Sequence, residues 1–138
     1  MSAPPVSTAS STSREVLACF TPSAIRQGLP VEEVDLLREI LAVSKAEAAA
    51  LLHVSERTLA RRYTEGHLTH GESDRLVQLL RLVDDATDAF DDRTSAAEWL
   101  TMPHQLLDGE TPMEHADTEP GRLAVRDMLG VIQYTMAA

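Results

Sequence analysis

The chain has 138 residues, 43% of them apolar, so it fits one domain or two small ones and can bury a core without staples. Its single cysteine, Cys19, has no intramolecular partner and no Cys/His zinc framework beside it, which excludes a disulfide scaffold and points to a reducing compartment. The formal charge of −10 is unevenly placed. Residues 1–70 carry seven Lys/Arg against eight Asp/Glu, whereas residues 71–138 carry five against fourteen, so the second half repels phosphate and attracts a basic partner. No basic residue precedes Arg14 and no window approaches the ~18 apolar residues of a membrane span, so neither a secretion signal nor a membrane segment is expected, and the expected location is cytoplasmic.

Residues 1–13, MSAPPVSTASSTS, are uncharged with little to bury and read as a disordered leader. From Arg14 apolar residues recur at helical spacing (Val16, Leu17, Phe20, then Ile25), with Thr21 as N-cap and Pro22 in a first turn. Residues 31–42 set Val34, Leu37 and Leu41 at i, i+3, i+7 with Ile40 beside them, an amphipathic helix. Ser44 to Glu47 is a Ser-x-x-Glu capping box opening a short helix. Residues 72–90 form the longest periodic stretch, a helix with Leu76, Leu79, Leu80, Val83, Ala86 and Phe90 on one face, and this long helix is the candidate for a dimer contact. Its acidic last turn (Asp84, Asp85, Asp88) opposes the helix dipole and calls for a compensating basic surface. Ser95 to Glu98 reads as a second capping box, opening a helix with Trp99 and Leu100 that stops before Pro103. Residues 101–118 are turn-rich, and a final helix from Glu119 to about Tyr134 is expected to bury Leu123, Val125, Met128, Leu129 and Ile132. No segment alternates as a strand does, so the expected class is all-α.

Residues 46–65, AEAAALLHVSERTLARRYTE, have the spacing of a helix-turn-helix. Ala49 is small where two helices cross, Leu52 and Val54 bracket the turn, and Leu59 packs back on the first helix. Ser55 caps the second helix, from which Arg57, Thr58, Arg61 and Arg62 project. A helix N-terminus with arginines suits phosphate contact and bidentate readout of guanine, and Lys45 is placed to meet a backbone phosphate. His53 stands at the turn position where glycine is usual, and histidine is among the residues that tolerate left-handed backbone. An ordinary helical hairpin with solvated arginines is the competing reading of the same residues. A module with few phosphate contacts binds weakly alone, which favours a homodimer on a two-fold site.

The run AAEWLTMPHQLLDGETPMEHADTEPGRLAVRDMLGVI resembles the toxin-binding domain of the Xre/MbcA/ParS family of antitoxins. The matching residues are Trp99, Leu100, Pro103, Leu107, Gly109, Thr111, Pro112, Thr118, Gly121, Val125 and Leu129, and LDGETP is the most specific piece. Residues 31–90, with their TLARR core, are similar to the same family. The departures are His104, where the family commonly has Asn, and Val131, where Arg is frequent. The resemblance implies the antitoxin of a type II toxin-antitoxin pair. Its partner is then a RES-domain toxin that depletes NAD, covered at its active-site mouth by the C-terminal domain, while the helix-turn-helix binds operator DNA.

On that resemblance the organisation is a leader (1–13), a helix-turn-helix and dimerisation region (14–90) and a small helical toxin-binding domain (91–138), within a larger toxin-antitoxin hetero-oligomer. The expected toxin contacts are His104, Asp108, Gly109, Glu110, Thr111, Pro112, Glu114, Thr118, Glu119 and Arg122. A site that binds an NAD pyrophosphate is basic, which the carboxylates of Asp108, Glu110, Glu114, Asp117 and Glu119 complement. No cofactor, metal or catalytic residue is expected, because no P-loop, GxSxG, GxGxxG or HExxH occurs. Two other readings stand beside this one: a stand-alone helix-turn-helix regulator whose C-terminal module oligomerises or senses a ligand, and a small hydrolase built on His104, His115, Asp108 and Asp117. Gly109, Thr111 and Pro112 also have a purely structural reading as a turn and helix start, and Trp99 reads as core.

Overall fold

The computed structural model describes residues 20–137, so the expected leader, the expected helical positions Val16 and Leu17, and Cys19 lie outside the described residues. Helix α1 (Pro22–Gln27) starts as its residues dictate: the Thr21 hydroxyl accepts from the Ala24 N–H at 3.1 Å, and Pro22 stands where no N–H is needed. Gly28 ends it at φ 97°, and a side chain there would overlap the Leu68 carbonyl. That bare backbone lets two connections zip together. Val31 N–H donates to the Gly66 carbonyl (3.0 Å), Leu68 N–H to the Leu29 carbonyl (2.9 Å), and Leu29 N–H to the Ser73 hydroxyl (2.8 Å). One isolated bridge joins Pro30 to His67; no strand forms among the described residues, and the class is all-α as expected.

Helix α2 (Glu32–Leu41) buries Val34, Leu36, Leu37 and Leu41. Helices α3 (Lys45–Leu51) and α4 (Glu56–Glu65) follow as a short pair. Helix α5 (His70–Phe90) begins earlier than its apolar period suggests, because Thr69 and Glu72 form a reciprocal capping box: Glu72 N–H to the Thr69 hydroxyl at 3.2 Å, Thr69 N–H to the Glu72 carboxylate at 2.9 Å.

Helix α5 is buried on more than one face. Leu76, Val77, Leu79, Leu80, Leu82, Val83, Ala86 and Ala89 all lie in the core, surrounded by α1, α2, α6 (Arg93–Leu100) and α8 (Glu119–Ala137). A dimer contact through this helix would have to use its outer positions rather than its apolar face. That face is covered within the chain, and the exposed positions include Asp74, Arg81 and Asp88. One hydrophobic cluster runs from Val34 and Leu59 to Met113, Val125 and Leu129, so the regions on either side of residue 90 share a core.

Asp91, at φ 53°, turns the chain from α5 into α6. Asp92 is the N-cap of α6, its carboxylate accepting from the Ser95 N–H (2.9 Å) and hydroxyl (2.6 Å). The expected Ser95–Glu98 box is replaced, because an ionised carboxylate is the stronger acceptor for free helix amides and suits the positive end of the dipole. A 3-10 turn (Gln105–Leu107) and helix α7 (Pro112–His115) lead into α8. Val125 and Leu129 of α8 are buried, and Met128 and Ile132 half-buried. Leu123 is not in the core but exposed, since it lies two residues from Val125 and thus across the helix. Arg126 of α8 approaches Asp85 at 3.5 Å and supplies a compensating cation for the acidic end of α5. Burial pushes the Asp85 carboxyl up, and Arg126 and Arg81 pull against it.

Two glycines of α8 test this packing. A Cβ on Gly121 would overlap the His115 carbonyl, whereas Gly130 faces open space. Gly121→Ala is expected to destabilise by about 1–3 kcal/mol through overpacking. Gly130→Ala is expected to stabilise by about 0.5–1 kcal/mol through helix propensity, and urea titrations of both variants check the pair.

Candidate functional site

The α3–α4 pair is built from its own caps. Ser44 accepts from the Glu47 N–H (3.1 Å) while Glu47 accepts from the Ser44 N–H (3.2 Å), which fixes the start of α3. At its end Val54 N–H reaches the Ala49 carbonyl (3.0 Å) and His53 N–H the Ala50 carbonyl (3.1 Å), the Schellman pattern. His53 adopts φ 62° there, the left-handed turn its position called for. Ala49, Leu52 and Leu59 are buried and Val54 half-buried, so the expected packing residues do hold the pair together.

The Ser55 hydroxyl accepts from the Thr58 N–H at 3.0 Å and donates to the Thr58 hydroxyl, so both side chains are committed to the start of α4. Arg57 is exposed and has no ion pair among the described residues, and Arg61 is 64% exposed with a loose contact to Glu65 at 3.5 Å. Lys45 is exposed, its ammonium 4.5 Å from the centre of the Tyr63 ring. Tyr63 donates to Asp35 at 2.6 Å, and burial followed by that hydrogen bond pushes its phenol up to about 12.

Arg62 does not project. Its side chain is 14% exposed and donates to Glu72 at 2.8 Å and to Glu65 at 3.1 Å, so the reading of Arg62 as an outward arginine is corrected. Glu72 is the α5 capping residue, and the ion pair ties the end of α4 to the start of α5. Burial alone would push the Glu72 carboxyl up; hydrogen bonds from Arg62 and Thr69, with the charge of Arg62, outweigh it and hold the group below 4.5.

The C-terminal block is as tightly built. Five backbone hydrogen bonds of 3.0–3.1 Å close the loop 104–110, His104 N–H to the Glu110 carbonyl and Gly109 N–H to the His104 carbonyl among them. Asp108 (φ 57°) and Gly109 (φ 82°) make its left-handed corner. Below it Leu107 is buried, and the His104 ring lies against Trp99 with centroids 5.2 Å apart. Trp99 is half-buried against Phe90, also as expected of a packing residue. Thr111 and Glu114 form a capping box for α7 that sequence reading missed behind the Thr-Pro motif. Pro112 is fully buried in that helix, so its place among surface contacts is corrected. The Thr118 hydroxyl accepts from the Gly121 N–H at 3.2 Å, and Glu119 approaches Arg122 at 3.5 Å. Asp108, Glu110, Glu114, Asp117 and Glu119 are exposed, with Glu110 also bonded to His115 at 2.9 Å. His104, His115, Asp108 and Asp117 do not converge; among the described residues no group of three such ligands could hold a metal.

Two features escaped the sequence reading. Leu106 is 87% exposed beside buried Leu107, and nothing in an apolar doublet says which member faces water. Arg75 is only 8% exposed: it donates to the Leu51 carbonyl (3.0 Å), at the end of α3, and to the Ala116 carbonyl (3.1 Å), just after α7. It thereby links the two sites across the core.

Residues 22–81 match the family model described as the antitoxin Xre-like helix-turn-helix domain, and residues 85–134 match the antitoxin Xre/MbcA/ParS C-terminal toxin-binding domain. A protein named antitoxin Xre from Photorhabdus laumondii is 32% identical over 112 residues, covering 80% of this chain and 76% of the relative. The chain belongs to the Xre/MbcA/ParS antitoxin family. A second antitoxin Xre, from Yersinia enterocolitica, is 31% identical over 113 residues, with the same shares of each chain. The two matched regions of this Xre-family chain meet inside α5, the helix that carries the shared core.

The arginines of α4 separate by role. Arg62→Ala is expected to cost about 1–3 kcal/mol of stability at pH 7, and Arg57→Ala nothing measurable, as read by urea titration. Because the folded Glu72 carboxyl lies below its ordinary value, its contribution is whole above pH 4.5 and lost as pH falls below it. Glu72→Gln should therefore differ most from the parent near neutrality and converge on it in acid.

Proposed function

We propose that the chain is the antitoxin of a type II pair, binding and silencing a RES-domain toxin through its C-terminal module and repressing its own operon through α3 and α4. The observation that carries the reading is the coexistence, on one core, of a helix-turn-helix with an exposed arginine face and an acidic module matching the family's toxin-binding domain. The RES identity of the partner and its NAD-depleting activity rest on the family resemblance. The antitoxin performs no chemistry; it acts by occupying its partner, in the cytoplasm, without cofactor.

In this assignment α4 enters the major groove. Arg57 and Arg61 are the base and phosphate readers, Lys45 meets a phosphate, and Ser55 and Thr58 present the amides of the helix start. Arg62 holds the reading helix on α5 rather than touching DNA. Two copies on a two-fold operator supply the affinity that one module lacks, through a surface other than the buried face of α5. The toxin meets the 104–122 block, where Asp108, Glu110, Glu114, Asp117 and Glu119 face a basic active-site mouth.

Expression of the adjacent gene alone should arrest growth and lower cellular NAD, and coexpression of this chain should reverse both. A neighbour that is harmless, or that this chain neither binds nor silences, refutes the antitoxin reading and leaves the stand-alone regulator. On operator DNA, Arg57→Ala should cost about 1–3 kcal/mol at one base pair and relax specificity there. Lys45→Ala should weaken all sequences evenly and lower the salt slope by about one, both measured by salt-dependent binding titrations.

A further inference from the structure

The loop 104–110 has the build of a presenting platform. Its five internal backbone hydrogen bonds, the left-handed corner at Asp108 and Gly109, the ring contact of His104 with Trp99 and buried Leu107 fix it to the module from below. On this platform Leu106 is 87% exposed, the largest exposure among the large apolar side chains that face water in the described residues. Buried Leu107 next to it supplies the core anchorage, so Leu106 is not needed for folding. The backbone around it is already ordered, so burial against a partner requires little further loss of loop freedom. Asp108 and Glu110, both exposed, flank it two and four residues on, and Gln105 precedes it.

We infer that Leu106 is the anchor of the C-terminal module, inserted into an apolar pocket on the toxin whose rim is basic. The inference rests on the toxin-binding reading above and names the contact within it. The leucine supplies apolar burial at the centre of the contact, and the carboxylates around it select a cationic rim. Its membership in the segment that matches the toxin-binding domain, residues 85–134, makes the toxin the occupant rather than DNA or a second copy.

The test uses the full chain and the purified product of the adjacent gene, with affinity read by titration and neutralisation by NAD consumption. Leu106→Ala is expected to weaken binding about tenfold to a hundredfold, the range that burying one leucine spans. Leu106→Asp should abolish it, and Leu106→Met should stay within a few-fold of the parent. Thermal midpoints of all three should match the parent, because the side chain has almost no contacts to lose. Leu123→Ala, an exposed apolar position on α8, is the control and should leave affinity unchanged. If the parent binds and Leu106→Ala binds within twofold of it, the anchor is wrong while the antitoxin reading stands. If Leu123→Ala loses as much as Leu106→Ala, a general loss of apolar surface is responsible and the anchor is again overturned. If the parent itself does not bind, the antitoxin reading and the anchor fall together.

Discussion

Helix α5 presents leucine and valine around most of its circumference, and such a helix is stable in water only when enclosed. Leu76, Leu79, Leu80, Leu82 and Val83 are taken out of solvent by α1 and α2 from one end of the chain and by α6 and α8 from the other. Each such leucine is worth about 2–5 kcal/mol against truncation to alanine, so the helix cannot be shared between two loosely joined domains. Everything else in the molecule is placed relative to this axis. Helix α4 is fixed to its start through Arg62 and Glu72, and the acidic module is packed along its remaining length.

Arg75 shows how far that integration goes. A guanidinium loses much hydration on burial, and here burial lowers its pKa against the opposing charge of Asp117. In return it closes the carbonyl of Leu51, where the first helix of the helix-turn-helix ends, and that of Ala116, just past α7. Both carbonyls would otherwise lack a helix partner. The two functional surfaces are thus joined by covalent chain, by a shared core and by one buried cation.

The charge division along the chain acquires a structural meaning from this arrangement. The arginines of α4 are not equivalent: Arg57 and Arg61 face water, while Arg62 neutralises a carboxylate at the next helix start. The carboxylates of the C-terminal block likewise divide. Glu114 caps α7 and Glu110 holds His115, so part of the acidic character serves the fold while still facing solvent. Asp108 stands at the loop corner, where a left-handed backbone is tolerated and the side chain is presented outward.

Helical class, the turn at His53, the caps at Thr21, Ser44 and Ser55, and the buried set Ala49, Leu52 and Leu59 were all legible in the sequence, because each depends on residues within one or two turns of chain. Local spacing also exposed the acidic imbalance and the motif block around Gly109. What it could not supply was the partner of each side chain from a distant segment. Arg62 looks like any outward arginine until Glu72 is folded against it, and Pro112 and Leu123 exchange their expected environments once α7 and α8 pack. The apolar stripe of α5 reads equally as a dimer face or an internal axis, since burial is decided by what covers a surface. Asp92 displaced Ser95 as a cap by acceptor strength, and Leu106 and Leu107 were divided between solvent and core by the rotation of a single 3-10 turn.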